Sequence, residues 1–291
     1  MGILEWLSEP FAYPFMIRAA LAASAVGALC AVIGSFVVLR GMAFIGDAIA
    51  HSILPGLAAG FLTAGRGDRR ILFWWALGTA IVVGLTVGWI SQRNRVREDT
   101  AIGIVFAGMF ALGIAMISTS RGFAVDLVHF LFGNVLGVSV SDLWLIVGFG
   151  LGAILLVLLF YKEFVLVSFD PTFAKTLRLP TAFYQYLLIV LISVTVVVSL
   201  QTVGIGLMLA MLVVPASTAF LLTKRLPAMI ALGAVLGALS GVIGLYLSYY
   251  WGVASGAAVV LVSIAFFLIA LLYTSWQRSL PRRRPTSFPA P

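Results

Sequence analysis

Nine apolar runs, each long enough to cross a bilayer, constrain what this chain can fold into. A spanning helix needs about 20 predominantly apolar residues, and such runs follow one another through most of the 291 residues. They cover residues 15–39, 44–64, 71–91, 100–118, 141–161, 183–200, 203–222, 227–249 and 252–274. Only Gln201 and Thr202 separate two of these runs, so that pair could include a broken helix. Eight spans are therefore an alternative to nine.

The composition supports a bilayer environment over water. Hydrophobic residues make up 62% of the chain and charged residues 10%, whereas soluble domains carry about 25% charged residues. We predict an all-α polytopic membrane protein. Its spanning domain covers residues 15–275, after an N-terminal segment (1–14) and before a basic, proline-rich tail (276–291). Because residues 1–14 contain no basic residue, they do not resemble a secretory signal, and the first span is expected to be retained.

The basic residues indicate an orientation in the membrane and argue against a nucleic-acid partner. The net charge is +8, but Lys and Arg lie between the apolar runs. With nine spans, thirteen of the 18 Lys and Arg fall on one face and five on the other. The richer face is predicted to be cytoplasmic, which places the C-terminus inside and the N-terminus outside. The single cysteine, Cys30, lies within a run and is expected to be a small packing residue.

One acidic residue, Asp47, falls inside a predicted span rather than in a loop or near a span end. His51 follows four residues later, so a helix would place both side chains on one face. A carboxylate and an imidazole suit Mn²⁺, Fe²⁺ and Zn²⁺, although a self-satisfied Asp–His pair in the bundle core is the alternative. A symmetric dimer would supply two of each ligand. Pro55 and Gly56 are expected to break this helix.

Two further stretches are predicted to be short helices. Segment 122–139 contains Asp126 and His129 and is predicted to be an outer half-helix, with His129 either packing at the interface or acting as a metal entry ligand. Asp170 and Pro171 are typical of a helix start, and Pro180 is expected to end the helix. This cytoplasmic amphipathic helix, about residues 170–180, would lie on the bilayer or dock into another protein.

Charged and small residues mark other positions. Glu98 and Asp99 open a span where a helix N-terminus favours anions. Small residues recur at close-packing spacing and would serve packing within one bundle or, alternatively, a dimer interface. They are Gly27, Ala31 and Gly34; Gly103 and Ala107; and Gly233, Gly237 and Gly241.

Enzyme motifs are missing from the sequence. It contains no GxxxxGKS phosphate loop, no HExxH and no GxSxG, so we expect a transport subunit without intrinsic cofactor or ATPase activity. Active transport would then need a separate ATPase.

These motifs together resemble the ABC-3 permeases, the membrane subunits of ABC importers for manganese, zinc and iron. The resemblance covers about residues 15–275, with an extended Pro/Arg tail after Tyr273 as a departure. It rests on five motifs in family order: Arg40–Gly56, Glu98–Gly103, Leu131–Asn134, Phe169–Lys175 and Leu212–Ala216.

The resemblance implies a type II importer bundle in the cell membrane, acting as a homodimer. Its implied partners are cytoplasmic ATPase subunits and an extracytoplasmic metal-binding protein. Asp47 and His51 would line the path of the transported metal. The Leu-Pro-Gly after His51 looks closer to the manganese/iron branch of the family than to the zinc permeases, and manganese is favoured over zinc or iron as the transported metal. The implied coupling residues are Asp170, Pro171, Thr172, Phe173, Ala174, Lys175 and Leu177. Possible gate or path residues are Glu98, Asp99, Pro55 and Pro215.

Two other transport functions stay open. A permease for a siderophore or cobalamin chelate would not need Asp47 and His51. An ATPase-independent ion carrier would show inverted repeats and several intramembrane charges; the sequence has one embedded acid and no clear repeat.

Overall fold

Helices form all the regular structure of the residues described by the computed structural model, 9–64, 69–93, 96–118 and 135–279. Two short 3-10 helices cover Glu9–Ala12 and Val135–Gly137. The α-helices of these ranges are α1 (Pro14–Leu39), α2 (Ile45–Ser52), α3 (Leu54–Ala64), α4 (Arg69–Arg93), α5 (Glu98–Ser118), α6 (Val140–Leu159), α7 (Tyr161–Phe169), α8 (Pro171–Thr176), α9 (Thr181–Val203), α10 (Ile205–Leu222), α11 (Leu226–Trp251) and α12 (Ser255–Ser279).

Nine helical segments among the described residues are long and apolar enough to cross a bilayer. They coincide with the nine predicted runs, with ends that differ by a few residues. Helices α2 and α3 together make the second span, Ile45–Thr63. Their separation at Ile53 confirms the predicted break, because Pro55 has no N–H to donate to the carbonyl of the preceding turn.

The predicted boundary between the sixth and seventh spans was wrong by a few residues. Gln201 and Thr202 lie inside α9, and the chain breaks at Gly204 instead. Gly204 has φ 78° and ψ 171°, a conformation open to glycine and costly for a residue with a Cβ. A single glycine therefore separates α9 from α10, which hydropathy alone did not reveal.

Helix α1 lies at the centre of the bundle and packs against α6, α9, α10 and α11. Gly27 of α1 meets Gly237 of α11 so closely that a Cβ on either residue would overlap the backbone of the other. The predicted close packing within one bundle is confirmed for these two helices. It is wrong for Gly103, because a Cβ there would have no described atom within 4 Å.

The predicted helix at residues 170–180 is shorter than expected. Asp170 caps α8 by accepting a hydrogen bond from the Phe173 N–H at 2.8 Å, but α8 ends at Thr176. Arg178 follows in the left-handed region, with φ 57°, so the chain has left the helix before Pro180. Pro180 instead precedes the first turn of α9.

Two other predictions meet the limits of the described ranges. Asp126, His129 and the rest of the predicted half-helix up to residue 134 lie outside them; Val135–Gly137 forms a 3-10 turn. Helix α12 continues to Ser279, so the first residues of the predicted tail are helical, and residues 280–291 lie outside the described ranges.

Candidate functional site

Helix α2 brings Asp47 and His51 together. The distance from His51 Nε2 to Asp47 Oδ1 is 3.4 Å, and the side chains are 31% and 37% exposed, respectively. The four-residue spacing therefore places them on one face, as predicted. Within the described ranges, no group of three or more His, Cys, Asp or Glu side chains is placed to hold a metal ion, so this part of the chain offers the pair without a third ligand of these types.

Aromatic residues of α5 fix the His51 ring. Phe106 and Phe110 each meet it edge-on, with ring centroids 6.2 and 5.9 Å away, and they stack on each other at 5.6 Å. Edge-to-face contacts of this kind stabilise a defined ring orientation. Helix α5 thus restricts the imidazole and holds it beside the Asp47 carboxylate.

The pair lies between two cavities at opposite ends of the bundle. His51 lines a cavity of about 1050 Å³ at the α9–α10 and α11–α12 turns, with Leu136 and Val253 in its wall. Asp47 lines a smaller cavity of about 280 Å³ at the start of α2, with Asp99 and Phe106. Five predicted crossings separate the start of α2 from the α9–α10 turn, so one residue of the pair faces each end.

A partly buried ion pair lies next to Asp99 of the smaller cavity. Arg40 Nη2 donates to Glu98 Oε1 at 2.6 Å, and the Arg40 side chain is 7% exposed. The contact joins the residue after α1 to the first residue of α5. Sequence reasoning identified Glu98 but missed Arg40 as its partner, because no helix or strand spacing connects residues that lie 58 positions apart.

The predicted gate or path residues do not all come together. Asp99 shares the cavity of Asp47. Pro55 instead lines a separate cavity of about 600 Å³, beside Trp74 and Trp75. Pro215 is buried inside α10 and is not among the described residues that line either cavity of the Asp47–His51 pair.

The predicted coupling segment carries three exposed apolar side chains. Phe169 ends α7, Phe173 lies in α8 and Leu177 directly follows it; they are 63%, 50% and 54% exposed. Ala174 is fully buried, so it supports α8 from beneath rather than offering a contact surface. The other predicted coupling residues, Asp170, Pro171, Thr172 and Lys175, are exposed.

Known proteins match this chain over nearly their whole length. The chain is 45% identical to the manganese transport system membrane protein MntC of Halalkalibacterium halodurans, over 95% of this chain and 93% of the relative. It is 37% identical to the manganese import system permease protein ScaB of Streptococcus gordonii, over 97% and 99%. A solved structure, PsaBC from Streptococcus pneumoniae in complex with Fab, matches with TM-score 0.80 and 36% identity, over 96% of this chain and 99% of that one.

A second solved structure shows the fold without close sequence similarity. It is described as an inward-facing conformation of a putative metal-chelate type ABC transporter and matches with TM-score 0.72 at 17% identity, covering 89% of this chain and 86% of that one. The ABC 3 transport family matches residues 12–274, which include every predicted span. The chain is therefore a multi-pass membrane protein that belongs to the ABC 3 transport family.

Proposed function

We propose that this chain is the permease subunit of an ATP-driven importer for a divalent transition metal, with manganese favoured over zinc or iron, and that it works as a homodimer. The observation that carries the proposal is the Asp47–His51 pair. It combines a carboxylate with an imidazole, and each residue faces a cavity at a different end of the bundle. An ion held between these two side chains could be reached from one end and released to the other.

The ligand chemistry fits a metal better than an apolar substrate. Carboxylate oxygens and imidazole nitrogens are ligands that Mn²⁺, Fe²⁺ and Zn²⁺ accept. The described residues of one chain supply too few of them. Both side chains are about one-third exposed on a span where contact with lipid would be costly. A second copy facing this surface would cover both groups and double the ligand set, leaving waters to complete the coordination of manganese.

The other partners follow from the two ends of the bundle. We infer that a cytoplasmic ATPase docks at α8 and its flanking residues, because Phe169, Phe173 and Leu177 are exposed there and water does not favour exposed apolar side chains. An extracytoplasmic metal-binding protein would deliver the ion at the larger cavity. This orientation puts the C-terminus in the cytoplasm of a cell-membrane protein, as the positive-inside rule predicts. The name of the relative at 45% identity, which specifies manganese, supports the choice of metal.

The test is metal uptake by the reconstituted complex of the permease, its ATPase and its binding protein. We expect ATP-dependent uptake of ⁵⁴Mn²⁺ that exceeds uptake of ⁶⁵Zn²⁺. Asp47→Ala and His51→Ala should each reduce manganese uptake by at least about ten-fold while the complex still assembles, because each removes a ligand. Glu163→Gln, which changes a carboxylate on α7 away from both cavities, is the matched control and should leave uptake unchanged.

The alternatives give different results in the same assay. Uptake that survives both substitutions would make Asp47 and His51 a structural pair and overturn the site. A competent complex that carries a siderophore or cobalamin chelate but no free metal would favour the chelate permease. Metal flux that is independent of ATP and of the ATPase would favour a carrier.

A further inference from the structure

The Arg40–Glu98 pair brings a buried cation next to the path inferred above. The Arg40 side chain is 7% exposed, and the Glu98 side chain is 33% exposed. Only one guanidinium nitrogen reaches the carboxylate, at 2.6 Å. Nη1 of Arg40 is also buried, and no described residue gives it a hydrogen-bond partner. Glu98 is therefore the group that compensates a cation with almost no access to water.

The pair lies at the inner end of the proposed path. Glu98 and Asp99 are neighbours in the first turn of α5, but they have different surroundings. Asp99 lines the small cavity together with Asp47, whereas Glu98 is held by Arg40 at the end of α1. Two adjacent carboxylates at the inner end of a cation path are thus separated into one that faces the cavity and one that is neutralised.

We propose that Arg40 is a positioning residue for metal release, which keeps Glu98 from acting as a second anionic site beside the Asp47–Asp99 cavity. This proposal deepens the proposed function and rests on it. With Glu98 neutralised, a divalent cation leaving Asp47 meets the single charge of Asp99 and passes on. With Glu98 free, the cation would meet two adjacent carboxylates and be retained.

The mechanism predicts opposite effects for the two halves of the pair. Arg40→Gln leaves Glu98 charged and unpaired, so Mn²⁺ should bind more tightly. Glu98→Gln leaves the buried cation of Arg40 uncompensated near the path, so Mn²⁺ should bind more weakly. An unscreened unit charge at several ångströms in a protein environment shifts an affinity by about ten-fold. Loss of a purely structural contact would instead weaken binding in both variants, because both break the same bond between α1 and α5.

The experiment measures equilibrium binding of ⁵⁴Mn²⁺ to the purified permease–ATPase complex, together with its ATP-dependent uptake in proteoliposomes. We expect the Kd of Arg40→Gln to fall and that of Glu98→Gln to rise, each by about ten-fold, while uptake decreases in both. The double variant Arg40→Gln with Glu98→Gln removes both charges and should return the Kd to within about two-fold of wild type, because the net charge is restored.

Controls separate the local charge effect from general damage. Arg97→Gln removes an exposed cation one residue before Glu98 and should leave the Kd unchanged, because solvent screens it. Arg40→Lys keeps the cation and should bind manganese as wild type does, even where loss of the planar guanidinium lowers thermal stability. Where Arg40→Gln alone does not fold, the double variant decides: the charge mechanism predicts a wild-type Kd for it, whereas loss of a structural contact predicts weaker binding.

Each outcome decides the proposal. Shifts of the same sign in Arg40→Gln and Glu98→Gln, or no shift in either, would overturn the positioning role while leaving the metal path intact. A wild-type complex that binds and imports no Mn²⁺ would instead overturn the proposed function, and this inference with it.

Discussion

Single residues set the distances between the central helices. Gly34 of α1 faces the backbone of α10, where an added Cβ would overlap the Leu212 carbonyl oxygen. The Leu212 side chain in turn packs against Gly46 at the start of α2. Its Cδ2 lies 2.7 Å from the position that a Cβ on Gly46 would take. Gly34 therefore governs the position of the helix that supports the Asp47 turn.

Gly34→Ala is expected to destabilise the protein and displace α10. Overpacking of this kind costs about 1–3 kcal/mol, because a backbone carbonyl cannot move aside as a flexible side chain can. Gly152→Ala is the matched control, since that glycine lies in α6 with no described atom within 4 Å of an added Cβ. Thermal unfolding in detergent measures the stability of both variants. Equal unfolding midpoints for the two would contradict tight packing of α1 against α10.

At the scale of elements, α8 is a six-residue helix with Phe173 exposed on it and Leu177 exposed directly after it. The Asp170 carboxylate caps its start, and Ala174 anchors its buried side. The left-handed backbone of Arg178 turns the chain into α9. Helices this short are not stable by themselves, so the cap and the buried alanine hold Phe173 at the surface.

Phe173→Ser should disrupt binding of the ATPase while sparing the permease fold. Phe173 is 50% exposed, so its removal from the isolated permease costs little, whereas a central aromatic anchor at an interface contributes about 2 kcal/mol or more. Co-purification with the ATPase should therefore fall by at least about ten-fold at an unchanged unfolding midpoint. Phe183→Ser, at a residue of α9 that is 55% exposed, is the control. Equal retention of ATPase by both variants would contradict docking on α8.

The sequence predicts the spans well because hydropathy is a local property that recurs in every helix. The Asp47–His51 pair could also be predicted from the sequence, since four-residue spacing alone places the two side chains on one face. The Gly204 break was not, because a run that stays apolar across the turn hides a change in backbone conformation. Arg40–Glu98 was hidden for a different reason: the contact depends on how α1 and α5 pack, and nothing local to either residue encodes it.

At the scale of the whole molecule, the described part of the single chain leaves the polar face of α2 only partly covered. Asp47 and His51 are partly exposed, while Gly103 beside them on α5 has open space where a Cβ would be. The same face therefore combines two ionisable groups with a small residue that permits close approach. In a symmetric dimer whose two-fold axis passes beside the Asp47 cavity, residues that line this cavity would lie near their own copies.

A single engineered cysteine tests that arrangement directly. Cys30 is buried and is removed as Cys30→Ala, after which Gly103→Cys introduces one thiol beside the Asp47 cavity. If the two copies meet at this face, a short bis-maleimide should join them into a species of about twice the 31.1 kDa chain mass, because the symmetry axis places the two thiols close together. Gly152→Cys, on the open side of α6, should stay monomeric under the same treatment. Cross-linking of Gly152→Cys but not Gly103→Cys would place the interface on α6 and leave Asp47 and His51 facing lipid. Two ionisable side chains are costly in that environment. The homodimeric metal path would then have to be abandoned.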